Sequence, residues 1–139
     1  MISLILKKLK NLKNNNIFFT TMMSRFRIEI DGDNITIHPF DGKHSATIIL
    51  MHGLGDTASG WRDIGEEIVT RFPYIKVILP TSSTRPVTLN MGARMPAWYD
   101  ITGLTADRAA EDCVGIDESV TVIKKLIETE ASLGIKYER

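Results

Sequence analysis

The residues of this chain best suited to chemistry form a glycine-containing turn directly after an apolar run at residues 48–51. They are His52, Gly53, Leu54, Gly55 and Asp56. A turn of this kind at the end of a strand leaves backbone N–H groups pointing outward, where they can stabilise negative charge. Acyl transfer is a chemistry that uses such a site, because charge develops on the carbonyl oxygen, and the Leu54 N–H would be the donor.

Two other interpretations of the turn stay open at this point. Residues 53–58 match the dinucleotide fingerprint Gly-x-Gly-x-x-Gly/Ala, but that fingerprint also needs an acid about 20 residues further on. No acid occurs between Glu67 and Asp100, which disfavours a nucleotide site. The turn can also be purely structural, with glycines that permit a tight strand exit and with His52 bonded inside the turn.

The elements before and after the turn must hold it in place. Residues 26–38 alternate apolar and polar positions around a polar turn, which predicts an N-terminal β-hairpin. Residues 47–51 and 74–79 are continuous apolar runs typical of buried parallel strands, and residues 60–72 between them have an amphipathic helical pattern. This order predicts a right-handed crossover with 47–51 as a central strand. We therefore expect an α/β fold, with a mostly parallel sheet and helices on both sides.

The segment at residues 81–105 has no periodicity and is interrupted by proline and glycine, which predicts a long binding loop. Its apolar side chains suit an alkyl chain, and they are Val87, Leu89, Met91, Met95 and Trp98. Ordinary core packing is the alternative role for each of them. We expect Arg85 and Asp100 to form an ion pair that shapes the loop.

Residues 107–133 return to a helical pattern, with Gly134 in the position of a C-terminal cap. The apolar stripe expected to face the sheet consists of Ile116, Val120, Ile123, Ile127 and Ala131. Cys113 is the single cysteine, so it has no partner for an internal disulfide, and no second metal ligand lies near it. We expect Cys113 to be a small buried residue of this helix.

Composition places the chain in the range of one soluble domain, with 139 residues, 43% hydrophobic and 24% charged. Six of the 17 bases but none of the 17 acids lie before Glu29, so the remainder carries 11 bases against 17 acids. An acidic body disfavours a nucleic-acid partner, because such a partner needs bases clustered on the folded surface.

Residues 1–24 are expected to precede a folded unit at 25–139. Their apolar residues recur at helical spacing between lysines, so a mitochondrial leader is one interpretation. An unstructured Asn-rich extension is the other. No apolar stretch reaches the roughly 18 residues that span a bilayer, so we expect at most peripheral membrane contact.

Several motifs at matching distances make residues 46–139 closely resemble one family. These motifs are LMHGLGDT (50–57), GW (60–61), Pro80, RPVTLNM (85–91), MPAWYDI (95–101) and GL (103–104). They resemble the acyl-protein thioesterases and lysophospholipase-like carboxylesterases, which are small α/β-hydrolases of lipid metabolism. The resemblance implies a cytoplasmic enzyme without metal or cofactor that hydrolyses S-acylated proteins or lysophospholipid-type esters. It also implies that Leu54 supplies an oxyanion amide and that residues 87–98 border the acyl channel.

The chain departs from the family pattern in its catalytic triad. This hydrolase class carries serine, acid and histidine in that order, with the serine in a Gly-x-Ser-x-Gly element. That element does not occur in the 139 residues, and by resemblance it would begin a few residues beyond Arg139. His38, His44 and His52 do not correspond to the family's base. We therefore expect this polypeptide alone to be inactive, and a non-catalytic acyl-binding protein or a truncated product is the alternative.

Overall fold

Residues 25–104 and 112–137 are described by the computed structural model, and most of them surround a four-stranded sheet. The strands are β1 (Phe26–Asp31), β2 (Asn34–Pro39), β3 (Ala46–Ile49) and β4 (Ile75–Leu79). They lie in the order β1-β2-β4-β3. The leader or unstructured extension expected at 1–24 and the helical turns expected at 107–111 lie outside the described residues.

The predicted hairpin and crossover are both confirmed. β1 and β2 pair antiparallel, and the Asn34 side-chain amide donates to the Asp31 carbonyl across the turn at 3.1 Å. β3 leads into a short 3-10 helix (Ala58–Trp61), then into helix α1 (Arg62–Arg71), and then into β4, which is parallel to β3. Helix α1 packs on β4 and β2. The core at this interface consists of Ile35, Ile37, Ala58, Val69, Val77 and Leu79.

The α/β class is confirmed, and the described part of the sheet is mixed. β3 and β4 are parallel, whereas β2 runs antiparallel to both of its neighbours. The hairpin imposes the first antiparallel pair, because a tight turn can only join antiparallel strands. β1 and β3 are the two outermost of the four described strands, so residues 47–51, expected to form a central strand, lie at an edge of the sheet in the described part of the chain.

Helix α2 (Ile116–Ser132) covers the sheet face opposite α1. Its C-terminal cap is confirmed, because Gly134 has φ of +91° and its N–H donates to the Ala131 carbonyl at 3.0 Å. The predicted apolar stripe is confirmed only in part. Ile123 and Ala131 are partly buried and Ile127 borders a cavity with Thr47 and Ile49 of the sheet, whereas Ile116 and Val120 are more than a third exposed. The two most buried residues of the helix are polar, Ser119 and Glu130. Two polar residues therefore fix the rotation of the helix, through partners described below.

Cys113 was expected inside this helix, and that expectation is wrong. It precedes the helix in a turn, with φ of +46°, and its side chain is partly exposed. The helix begins only after Gly115, whose φ of +92° is incompatible with a helical continuation toward Cys113.

An antiparallel ribbon occupies part of the segment predicted to be a loop. β5 (Thr84–Val87) and β6 (Ala93–Pro96) pair around a 3-10 turn (Thr88–Asn90). Periodicity does not reveal these strands because each has four residues and contains a proline. The ribbon carries most of the apolar residues assigned to an acyl surface.

Candidate functional site

In the turn after β3, the backbone amide of Leu54 has no partner among the described residues. The parallel ladder ends where the Leu50 N–H donates to the Ile78 carbonyl at 2.9 Å. Further along, the Gly55 N–H donates to Pro96 O at 2.9 Å and the Asp56 N–H donates to Gly53 O at 3.2 Å. The Leu54 N–H makes no hydrogen bond within the described ranges, so it is available to an oxygen of a ligand.

His52 holds this turn with both nitrogens of a buried ring. The side chain lies 2.6 Å through Nδ1 from the Gly53 carbonyl and 3.0 Å through Nε2 from the Ser82 amide nitrogen. A carbonyl only accepts and an amide only donates, so the ring must carry its proton on Nδ1 and accept at Nε2. With His52 only 3% exposed and both nitrogens occupied, it serves as a structural bridge from the turn to Ser82.

Trp98 ties the end of the ribbon to the same turn. Its indole Nε1–H donates to the His52 carbonyl at 2.9 Å, and the two ring centroids lie 5.1 Å apart. Together with the bond from Gly55 to Pro96, this gives residues 96–98 two hydrogen bonds to the turn. The position of the Leu54 amide therefore depends on the ribbon.

Asp56 is turned toward the start of the following helix. Its Oδ1 accepts from the Thr57 N–H at 2.7 Å, and its carboxylate lies where a Cβ on Gly60 would be. The next amide, that of Ala58, donates to the Thr81 hydroxyl at 2.9 Å. Asp56 thus shapes the exit of the turn.

The five residues assigned to an acyl surface occupy different environments. Val87 is fully buried, whereas Met91 is 99% exposed at the tip of the ribbon with φ of +55°. Leu89, Met95 and Trp98 are partly buried. Met95 Sδ lies 3.6 Å from the point where a Cβ on Gly55 would be. Met95 and Trp98 therefore lie beside the turn, and an acyl-binding role of the set stays a prediction.

The expected ion pair between Arg85 and Asp100 does not form. Arg85 Nη2 instead lies 2.9 Å from Glu118 Oε2. Asp100 accepts from both the N–H and the hydroxyl of Thr88 at 2.7 Å, and these bonds lower the pKa of its carboxyl. The Asp100 carboxylate thus accepts hydrogen bonds at the start of the 3-10 turn, because the N–H and hydroxyl of Thr88 lie closer to it than the Arg85 guanidinium does.

A buried polar cluster on the α2 side of the sheet was not predicted. Glu130 is 4% exposed, and its Oε1 accepts from Lys76 Nζ at 2.6 Å. Its Oε2 accepts from the Thr47 hydroxyl at 2.6 Å and lies 3.0 Å from His44 Nε2. Burial alone would raise the pKa of Glu130, but the bonds from Lys76 and Thr47 outweigh it, so the pKa is lowered. The one sequence signal was a lysine in the middle of the apolar run at 74–79.

The described part of the chain contains neither a metal-binding cluster nor a membrane-spanning helix. Residues 25–104 and 112–137 contain no group of three or more His, Cys, Asp or Glu side chains arranged to hold a metal ion. Within the same ranges, neither helix has the length and apolar character needed to cross a membrane.

Known proteins resemble the part of this chain that contains the turn and the ribbon, both in sequence and in fold. A family model described as phospholipase/carboxylesterase matches residues 33–139. Acyl-protein thioesterase 1 of Yarrowia lipolytica is 43% identical over 103 residues, which cover 73% of this chain and 45% of the relative. The protein of the same name from Schizosaccharomyces pombe is 44% identical over 96 residues, covering 69% and 42%. The crystal structure of Zea mays acyl-protein thioesterase 2 aligns with a TM-score of 0.57 at 35% identity, covering 71% of this chain and 41% of that one. The chain thus spans less than half the length of these relatives.

Proposed function

Because the chain belongs to the phospholipase/carboxylesterase family of α/β-hydrolases, we propose that it supplies the oxyanion-binding turn and part of the acyl-binding surface of an acyl-protein thioesterase. The observation that carries the proposal is the Leu54 amide, which has no partner among the described residues although the two amides after it are bonded. An unpaired N–H on a turn held from both sides is preorganised to receive a developing negative charge.

The proposed chemistry is hydrolysis of a thioester or ester by serine acyl transfer. A serine hydroxyl attacks the acyl carbonyl, a base takes the proton of the hydroxyl, and the charge that forms on the carbonyl oxygen is stabilised by backbone amides. The Leu54 N–H would be one of these amides, and the amide after the nucleophile supplies the other in this fold. The His52 ring would take no part as a base, because both of its nitrogens are engaged.

We propose that a polypeptide of these 139 residues alone does not turn over substrate. One oxyanion amide without the Gly-x-Ser-x-Gly nucleophile and its base leaves no route to an acyl-enzyme. Purified protein should hydrolyse p-nitrophenyl octanoate and a short acyl thioester no faster than an equally purified blank. Turnover above that blank would disprove the proposal.

A non-catalytic acyl-binding protein is the second candidate function. It is favoured by Met95 and Trp98, which give the turn an apolar side suited to an alkyl chain. A dansyl-labelled fatty acid that binds without being hydrolysed would fit this candidate. The absence of binding would leave no support for an acyl surface in this polypeptide.

The role of the Leu54 amide can be tested without catalysis. Decanoate carries a carboxylate oxygen that can occupy the oxyanion position, so its addition should shift the Leu54 amide resonance in an NMR spectrum. The Asp56 amide is the internal control, because it is already bonded to Gly53 O. Leu54→Ala should keep the effect, since it keeps the N–H. A shift confined to other amides would argue against an oxyanion role.

The substrates and the cellular location of the protein are also proposed. We propose S-acylated proteins or lysophospholipid-type esters as substrates, with no nucleic-acid partner and at most peripheral membrane contact. The names of the relatives support the first substrate class. We propose a cytoplasmic location, and fusing residues 1–22 to a fluorescent reporter would distinguish it from mitochondrial import.

A further inference from the structure

The Arg85 guanidinium lies between the ribbon and the start of helix α2. Its Nε–H donates to the Ala97 carbonyl at 2.8 Å, Nη1 donates to the Val114 carbonyl at 3.5 Å, and Nη2 donates to Glu118 Oε2 at 2.9 Å. The Arg85 side chain is only 12% exposed. A guanidinium this buried needs acceptors for its donors, and two of its three acceptors are backbone carbonyls.

The backbone at Gly115 is fitted to this guanidinium. A Cβ on Gly115 would overlap Arg85 Nη1, and the residue has φ of +92°. Only glycine allows the chain both this conformation and this close approach. The contact between Arg85 and the start of α2 therefore depends on the backbone conformation at Gly115 as well as on the ion pair with Glu118.

The segment at residues 96–98 is held on two sides. On one side it bonds to the candidate oxyanion turn, through Pro96 O with Gly55 and through the Trp98 indole with His52 O. On the other side Arg85 binds the Ala97 carbonyl, and the Ser119 hydroxyl donates to the Trp98 carbonyl. Hydrogen bonds thus join the turn to residues 96–98, and residues 96–98 to Arg85 and the start of α2, in one stack of three segments.

From this stack we infer that Arg85 is a positioning residue for the oxyanion turn, because it holds residues 96–98 against the turn that presents the Leu54 amide. The inference rests on the proposed function for its meaning, since the position of that amide matters only if it binds an oxygen. The acceptors of Arg85 are Ala97, Val114 and Glu118, none of which belongs to the turn, so Arg85 is not a catalytic residue.

Lysine cannot replace this arginine, because one ammonium cannot reach three acceptors arranged around a planar fork. In the full chain, Arg85→Lys should speed hydrogen exchange at the Gly55 amide and the Trp98 indole by about tenfold, with the Val77 amide in the core unchanged. Arg94→Lys is the matched control. Arg94 lies on β6 of the same ribbon, is exposed, and among the described residues donates only to Thr84 O.

Glu118→Gln is a milder second variant that leaves both backbone acceptors of Arg85 in place. It should speed exchange at the same two sites by a smaller factor than Arg85→Lys. Equal exchange rates at these sites in Arg85→Lys and Arg94→Lys would overturn the inference. So would a rise of the same size at the Val77 amide, because that pattern reports global destabilisation.

Binding of a dansyl-labelled undecanoic acid separates this inference from the proposed function. If the unmodified chain does not bind the probe, the acyl-binding part of the proposed function fails, and the exchange rates alone decide on Arg85. If the unmodified chain binds, Arg85→Lys should raise the Kd several-fold and Arg94→Lys should not. An unchanged Kd in Arg85→Lys would overturn the inference.

Discussion

The buried pair of Lys76 and Glu130 gives the sharpest test of how this fold is held together. Their side chains are 11% and 5% exposed, and the charged atoms lie 2.6 Å apart. Removing one partner of a buried pair leaves an uncompensated charge and typically costs about 3–5 kcal/mol. Glu130→Leu should therefore lower the free energy of unfolding by about that amount, because Lys76 loses its only counter-charge in the cluster.

Removing both charges should cost less than removing Glu130 alone. In Lys76→Met/Glu130→Leu no unpaired charge remains, and the loss reduces to the unmade hydrogen bonds of Thr47 and His44, about 1–3 kcal/mol in total. The double variant should thus be more stable than Glu130→Leu. This order is independent of the absolute stability of the chain.

The free energy of unfolding would be measured by urea unfolding, followed by circular dichroism, for the unmodified chain, Glu130→Leu, the double variant and a control variant. All four would be measured in the same concentration of sucrose, which keeps the least stable of them folded. An exposed ion pair on α1 provides the control. Arg71 Nη2 lies 2.7 Å from Glu67 Oε1, and the two side chains are 69% and 61% exposed. Its disruption by Glu67→Leu should cost no more than about 1 kcal/mol. The reasoning is refuted if Glu130→Leu costs as little as this control, or if the double variant is no more stable than Glu130→Leu.

Three further outcomes are expected. In the folded protein the pKa of Glu130 is lowered by its hydrogen bonds, and the pKa of His38 is lowered from its ordinary 6.5 by burial, so the unfolded chain binds more protons as the pH falls. The urea concentration at the unfolding midpoint should therefore decrease when the pH is lowered from 7 to 4, and a midpoint that does not change with pH would contradict this. His52→Phe removes the bridge to Ser82 and leaves a buried amide unpaired, which should cost about 1–3 kcal/mol by urea unfolding, whereas a loss within error would disprove the bridge. Gly115→Ala should reproduce the local exchange pattern of Arg85→Lys, and wild-type rates at the Gly55 amide would count against the close contact.

Local sequence patterns were sufficient for the parts of the fold that depend on local interactions. The hairpin of β1 and β2 was predictable because its turn and its alternating residues are contiguous. The crossover from β3 through α1 to β4 was predictable because apolar periodicity changes with each element. The candidate oxyanion turn was visible for the same reason, since a strand and its glycines are adjacent in the chain.

Other features depended on partners far away in sequence. The rotation of α2 follows from Glu130, whose partners Thr47 and His44 lie 83 and 86 residues earlier. The pairing of Arg85 with Glu118, in place of Asp100, follows from the packing of the ribbon on α2. No local pattern encodes these choices, because each depends on which side chain meets which partner after the sheet has formed.

By itself, therefore, the sequence determined the order of β1 to β4 and of the two helices, the turn that offers the Leu54 amide, and the family to which the chain belongs. Tertiary structure alone decided which nitrogens of His52 are occupied, which acid Arg85 binds, and which apolar residues of the ribbon lie beside the turn. The physical reason is that hydrophobic periodicity acts within one element, whereas a buried polar group takes its partner from whatever element the fold brings to it.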